Sequence, residues 1–251
     1  MNIKVYYLNR EQFKQGDTKI ALTYALKKAK EDKGIDTITL LVSTQHQYKP
    51  FLGELGINYK NHIVNIHGHS VHIHTVKTYH PSHMYAGQPQ SEILIAIGVP
   101  PKELERFEDY SNIKYWIVIP WLMSEIREWL SIFGATDLES KQAIELPSIA
   151  DIRIANAIDW LKSTSSPNEG YSHTIDENNL HQMANALKHY NVPVDYAATV
   201  RCAMDNGLIP SAARKTAEAF MQAQKHAFSI RHDIHNIYEN TFLKEKMEKQ
   251  Q

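Results

Sequence analysis

The sequence predicts an α/β fold: a Rossmann-like, mostly parallel sheet with helices on both faces, followed by an all-helical domain. Two observations predict it. Short β-branched and aromatic runs alternate with amphipathic stretches through the first half of the chain. After Asp137 the strand signal stops, while helix caps and helical periodicity continue. This places an α/β domain over 1–138 and a helical domain over 139–251.

Taken in order, Ile3–Leu8 reads as a strand. Thr18–Lys33 sets Ile20, Ala21, Tyr24, Ala25 and Ala29 on one side and Lys27, Lys28, Lys30 and Glu31 toward water, so it predicts a helix that Gly34 ends. Thr37–Val42 is the next strand, and Pro50–Leu55 can make a short helix before Gly56. His62–Tyr79 is hairpin-like, either an irregular insertion or an antiparallel edge. Glu92–Ile97 is almost continuously apolar, as in a strand covered on both faces. The Val99-Pro100-Pro101 step leads into a helix through Leu104 and Phe107, Lys114–Ile119 is a further apolar strand, and a helix over Met123–Phe133 presents Ile126, Trp129, Leu130 and Phe133 to the core.

In the second half, Ser148 with Asp151 and Thr174 with Glu177 have the spacing of capping boxes and mark helix starts. Ser163–Gly170 is the strongest loop signal. Helices are expected over 149–161, 175–190, 195–206 and from Ser211 onward, with Ile230, Ile234, Ile237 and Phe242 at helical spacing.

Composition narrows the function classes. A chain of 251 residues, 43% hydrophobic and 22% charged, can bury a core. Its 27 Lys and Arg against 28 Asp and Glu leave a net charge of -1, so no global basic field draws it to nucleic acid or an anionic membrane. The single Cys202 excludes intramolecular disulfides and cysteine-rich zinc modules. The longest apolar run, Ile113–Met123, is broken by Lys114 and Pro120 and is too short to span a bilayer, and the amino terminus lacks a signal-peptide core. A cytoplasmic protein is the expectation.

In an open parallel sheet, ligands bind beyond the carboxyl ends of the strands, where helix amino termini present free N–H groups. That rule selects Asp17 and Thr18 after the first strand, Ser43, Thr44 and His46 after the second, Gly98 after the third and Trp121 after the fourth. Hydroxyls of Ser43 and Thr44 suit phosphate or ribose, and Trp121 suits a planar ring, so the expected partner is a nucleotide or another small phosphorylated or anionic ligand. The helical domain would cover that site or relay its occupancy. The same residues also serve plain structural ends: Asp17 and Thr18 as helix caps, Trp121 as packing between layers. No three-glycine dinucleotide fingerprint and no Gly-Lys-Ser/Thr phosphate loop is present, and neither a catalytic residue nor a cofactor is assigned.

Two further readings compete. The chain has 14 histidines, and His67, His69, His72 and His74 fall close together around Gly68, where imidazoles two residues apart share a strand face; this is the candidate metal site of a hydrolase. No carboxylate lies between His62 and Ser91 to orient such ligands, and neutral histidines on an exposed hairpin face explain the same pattern. Arg231-His232-Asp233-Ile234-His235 has a superficial likeness to metal phosphohydrolase and helical ribonuclease motifs, but the further ligands and the usual Arg–His spacing are missing, and the residues read as the polar side of a helix. The third reading is a nucleic-acid or protein adaptor: Ala203–Leu208 followed by Ala213-Arg214-Lys215 has a helix-turn-helix flavour. Nine Lys and Arg against ten Asp and Glu from Asn168 to Gln251 argue against an electropositive DNA-reading face.

Ser91–Leu104 followed by Trp116-Ile117-Val118-Ile119-Pro120-Trp121, Glu125-Ile126 and Trp129, together with Ala25–Thr44, Gly170-Tyr171-Ser172-His173, Gly207 and Ala213, resembles a bacterial protein family without an assigned activity. The Val-Ile-Pro-Trp step is the most specific part. The resemblance implies a Rossmann-like amino-terminal half and a helical carboxy-terminal half; it supplies no catalytic residue, and the histidine-rich hairpin has no counterpart in it.

Overall fold

The computed structural model describes residues 3–44, 53, 55–56, 63–81, 84–85, 88–89 and 91–229. The chain divides into two compact units, Asn2–Leu146 and Pro147–Gln251. The first is α/β with a seven-stranded, mostly parallel sheet.

Its elements are β1 (Lys4–Tyr7), α1 (Asp17–Glu31), β2 (Thr37–Val42), β3 (Ile63–Ile66), β4 (His69–Thr75), β5 (Met84–Tyr85), β6 (Gln88–Pro89), β7 (Glu92–Ile97), α2 (Pro101–Leu104), a 3-10 turn (Glu105–Phe107), β8 (Ile113–Ile119), α3 (Met123–Phe133) and β9 (Thr136–Asp137). β5 and β6 pair only with each other. The main sheet runs β3-β4-β2-β7-β8-β1-β9, every pairing parallel except β3 with β4. Numbering the parallel strands along the chain, the order is third, second, fourth, fifth, first, sixth. A doubly wound dinucleotide fold places its first strand beside its second; here β1 lies between β8 and β9 instead.

The strand pleat sorts the core into two layers. Ile38, Ile93 and Tyr115 stand in register on one face, as do Tyr6 and Ile117, and they pack with Ala21, Leu22, Ala25 and Ala29 of α1. On the other face, Val5, Trp116 and Leu94 align, and the Trp116 ring lies 5.7 Å from Trp129 of α3. β2 and β7 are buried at every position, which is why they read as uninterrupted apolar runs.

The His62–Tyr79 segment is a hairpin, and both of its strands belong to the main sheet. β4 pairs in parallel with β2, and β3 forms the antiparallel edge through a two-residue turn at His67 and Gly68. β9 was not apparent from the sequence because two residues are too few for a pattern. The unit extends past Leu138 because residues 142–144 cover the β9 edge: Asp137 N–H donates to the Gln142 carbonyl and Ile144 N–H to that of Ala135. The helix expected over Pro50–Leu55 falls mostly outside the described residues.

The described part of the second unit holds α4 (Ile152–Thr164), a 3-10 turn (Pro167–Glu169), α5 (Thr174–His189), α6 (Tyr196–Asp205) and α7 (Pro210–Lys225), with no strand. Two helix starts differ from the expected capping boxes. Asp151 itself caps α4, accepting from Arg153 N–H at 2.9 Å, whereas Ser148 lies in irregular chain before it. α5 begins at Thr174, its N-cap His173 making no side-chain bond. A short polar residue ahead of a helix marks the neighbourhood of its start, and the position that takes the cap depends on the chain direction at entry. Ile154, Ile158, Leu161, Leu180, Met183, Leu187, Val200 and Phe220 form the interior.

Candidate functional site

The carboxyl ends of β7, β8 and β1 are neighbours because those strands are adjacent in the sheet. The loop after β1 reaches across to the loop after β8: Gln12 bridges to Leu122, and the Phe13 ring stacks on Trp121 at 6.1 Å with planes 9° apart. Trp121 is 52% exposed, an unusual position for an indole. Its ring rests over Gly98, whose backbone has φ +59, and a Cβ built there would sit 3.4 Å from Trp121 Cε3. The positive φ is what favours glycine here, while an added Cβ would stand at contact distance from the indole. On the β2 side, the Ser43 hydroxyl donates to the Gly98 carbonyl at 3.2 Å. Gly98→Ala is therefore expected to lower stability by about 1–2 kcal/mol through its positive φ, as measured by urea unfolding.

Ser43, Gly98 and Trp121 thus share one stretch of rim, and Thr44, exposed, follows Ser43 at the end of β2. Asp17 and Thr18 are placed differently, at 2% and 0% exposure. Asp17 accepts from Lys14 N–H at 2.8 Å and from Arg10 Nε at 3.3 Å, so its carboxylate ties the loop ahead of α1 to the end of β1. The Thr18 hydroxyl is buried with no hydrogen-bond partner among the described residues, a burden of roughly 1–3 kcal/mol in groups of this kind. Both residues build the rim from inside. His46 lies outside the described residues.

Arg10 is the residue that sequence reading missed. It stands three positions beyond the end of β1 and holds both Glu139 carboxylate oxygens, at 2.5 and 2.6 Å, as well as Asp17. These bonds raise its already high pKa and hold Glu139 below the usual carboxylate range. Asp137, at the end of β9, accepts from Asn9 N–H and from the Ser140 hydroxyl. The signal was present: Asn9 and Arg10 directly follow the first strand, in the loop that the strand-end rule selects.

The recess bounded by Gly98, Pro100, Pro120, Trp121 and Glu125 has a volume of only about 20 Å³, room for roughly one water molecule. What the rim presents to solvent beside this recess is about half of the Trp121 indole.

The hairpin histidines divide between the two sides of the sheet. His69 shares its face with Val71 and Ile73, His72 and His74 point to the other side, and His67 sits in the turn. The His72 and His74 rings are 6.2 Å apart, and His74 lies 5.9 Å from Tyr79. Among the described residues no group of three or more His, Cys, Asp or Glu side chains is arranged to hold a metal ion.

In the second unit, the turn between α6 and α7 is a packing turn. Leu208 N–H reaches back to the Ala203 carbonyl and Gly207 N–H to that of Met204. Arg214 is 7% exposed and donates to the Tyr196 hydroxyl at 3.3 Å, while Lys215 donates to the Gly170 carbonyl at 2.9 Å. A buried guanidinium does not present itself to phosphate. Burial pushes the Cys202 thiol pKa up, away from the reactive thiolate range. Arg231-His232-Asp233-Ile234-His235 lies outside the described residues.

Among the described residues no helix is long and apolar enough to cross a membrane. No family model, no curated protein and no solved structure matches this chain.

Proposed function

We propose that the Asn2–Leu146 unit, read as a Rossmann-like variant, binds a nucleotide or another small anionic ligand with a planar ring at the carboxyl rim of its sheet, in a cytoplasmic protein. The observation that carries the reading is the half-exposed Trp121 indole, packed against Phe13 and Gly98 at the ends of β7 and β8. Solvent-exposed aromatic surface fixed by its neighbours loses little entropy when a ring stacks on it, and such stacking contributes about 1–3 kcal/mol per base. Elsewhere on the rim, Thr44 is exposed at the end of β2, and Arg10, after β1, is a cation shared between buried Asp17 and exposed Glu139, for which a phosphoryl oxygen would compete with Glu139. The helical unit is assigned the role of covering the rim or relaying its occupancy.

Calorimetric titration of the full chain with a panel of nucleoside mono-, di- and triphosphates tests this. At least one is expected to bind, with a change in Trp121 emission, and Trp121→Ala is expected to weaken it about tenfold or more, in line with the loss of one stacking contact. Arg10→Gln should weaken phosphorylated ligands and leave the free nucleoside unchanged. Silence across the panel, or equal affinity in Trp121→Ala, removes the reading.

A further inference from the structure

α7 ends at Lys225, and the chain leaves it extended, with His226 at φ -139 and ψ 123. Within three residues it is fastened to α5. The Phe228 N–H donates to Asn185 Oδ1 at 2.8 Å, and Asn185 Nδ2 donates to the Phe228 carbonyl at 2.9 Å. One side-chain amide thus satisfies both main-chain groups of a single residue, as a neighbouring strand would. His181 lies four residues before Asn185, on the same side of α5. Its ring stacks on that of Phe228, with centres 3.8 Å apart and planes 7° apart.

Residues 226–229 therefore form a strap with two points of attachment. Phe228 is half-buried, and the other three strap residues are exposed, so the strap carries no core residue of its own. Asn185 is buried beneath it. When the strap lifts, water replaces the main-chain partners of that amide, and a neutral hydrogen bond exchanged for one to water contributes little net. The stack is then the attachment that decides, and one of its two rings titrates.

Charge sets the direction. α5 packs against α4 and α7. Of the charged groups on these helices, Glu177 of α5 favours the His181 cation and Lys215 of α7 opposes it; burial opposes it most, and the pKa lies below the ordinary histidine value. The strap itself, His-Ala-Phe-Ser, contains no acid that could pair with an imidazolium. A further cation stands at its start, where Lys188 Nζ donates to the Lys225 carbonyl at 3.5 Å.

We propose that residues 226–229 are a pH-released strap, seated on α5 while the His181 imidazole is neutral and lifted when that ring takes up a proton. A group whose pKa is lower in the seated form holds fully above the free imidazole value, about 6.5, and its hold is lost as pH falls through that value toward the lower seated one. Lifting uncovers the Asn185 amide and the His181 ring together, a pair already arranged to hold an extended chain. The switch lies within the Pro147–Gln251 unit and does not rest on ligand binding at the Trp121 rim.

The test is nuclear magnetic resonance of the isotope-labelled full chain between pH 7.5 and pH 5.0. His181 is expected to titrate below free histidine. The heteronuclear NOE of the Phe228 amide should match that of α7 at pH 7.5 and fall to half or less at pH 5.0, while the values of Leu180 and Phe220 stay constant. His181→Phe keeps a stacking ring that cannot titrate, so its strap should stay seated at both pH values; His226→Asn should follow the parent. Asn185→Ala, which removes the attachment that does not titrate, should lower the Phe228 value already at pH 7.5. Circular dichroism of each variant establishes that it is folded, and the parent titration is decisive without them. An unchanged Phe228 value in the parent, a fall shared by Leu180 and Phe220, the same fall in folded His181→Phe, or a His181 that titrates at or above free histidine would each overturn the proposal.

Discussion

Replacing Trp129 with alanine is expected to cost about 3–5 kcal/mol of unfolding free energy, the largest effect of any substitution considered for the α/β unit. The indole is buried, with ring centres 5.7 Å from Trp116 and 4.7 Å from Phe133, so removing it opens a cavity that neighbouring rings cannot fill by rotating in place. It also has a polar task. Trp129 Nε1 donates to Glu108 Oε1 at 2.5 Å, and Glu108 is almost completely buried. Trp129→Phe separates the two contributions: most of the apolar volume stays and the donor goes, for an expected cost of about 1–3 kcal/mol. In the Glu108→Gln background the same Phe substitution should cost less, because an amide left without that partner is cheaper to bury than a carboxyl group. Urea unfolding of the full chain, followed by near-ultraviolet circular dichroism, measures the parent and the four variants. A Trp129→Phe variant as stable as the parent would show that the bond contributes nothing.

At neutral pH, Glu92→Gln is expected to be as stable as the parent or more so, with the advantage vanishing in acid. Glu92 opens β7 and is buried; it accepts from the Tyr79 hydroxyl at 2.8 Å. Burial pushes its pKa above the usual carboxylate range, and hydrogen bonds from Thr39 and Tyr79 oppose that rise without cancelling it. Burial and the same neighbour push the Tyr79 phenol far up, so Tyr79 remains a donor across the working pH range. The sign follows from proton counting. A carboxyl with a folded pKa above its unfolded value keeps its proton longer in the folded state, so its stabilising effect is complete below the unfolded pKa and is lost as pH rises through the folded one. The parent should therefore lose stability from about pH 4.5 upward relative to the glutamine variant. Tyr79→Phe removes a bond that favours the charged form, so it should cost about 1–3 kcal/mol and steepen that decline. Thermal melts of the three proteins from pH 4 to pH 8 check it; parallel curves would show that Glu92 does not titrate differently on folding.

How much of this was legible beforehand varies with the range of the interaction. β2, β7 and α3 begin and end where periodicity and β-branching place them, because a strand buried on both faces or a helix with one apolar stripe is written in adjacent residues. The buried Glu92 was not legible. A single glutamate at the head of an apolar run looks like an exposed strand end until Tyr79 and Thr39 are seen beside it. Arg10 and Phe13 were passed over for a similar reason: a loop arginine and a loop phenylalanine acquire meaning only once β1 lies beside β8 and β9. The hairpin histidines show the opposite case, in which proximity in sequence suggested a cluster that strand alternation takes apart.

By itself, then, the sequence determined the longer strands and helices and that the strand signal ends near Asp137, since these depend on contacts a few residues long. Tertiary structure alone decided that the first strand inserts between the fifth and the sixth and that Trp121 stays half open beside Gly98. Strand order is set by which apolar faces find one another across the whole chain, and many orders bury the same residues from water. Local pattern carries no record of that choice.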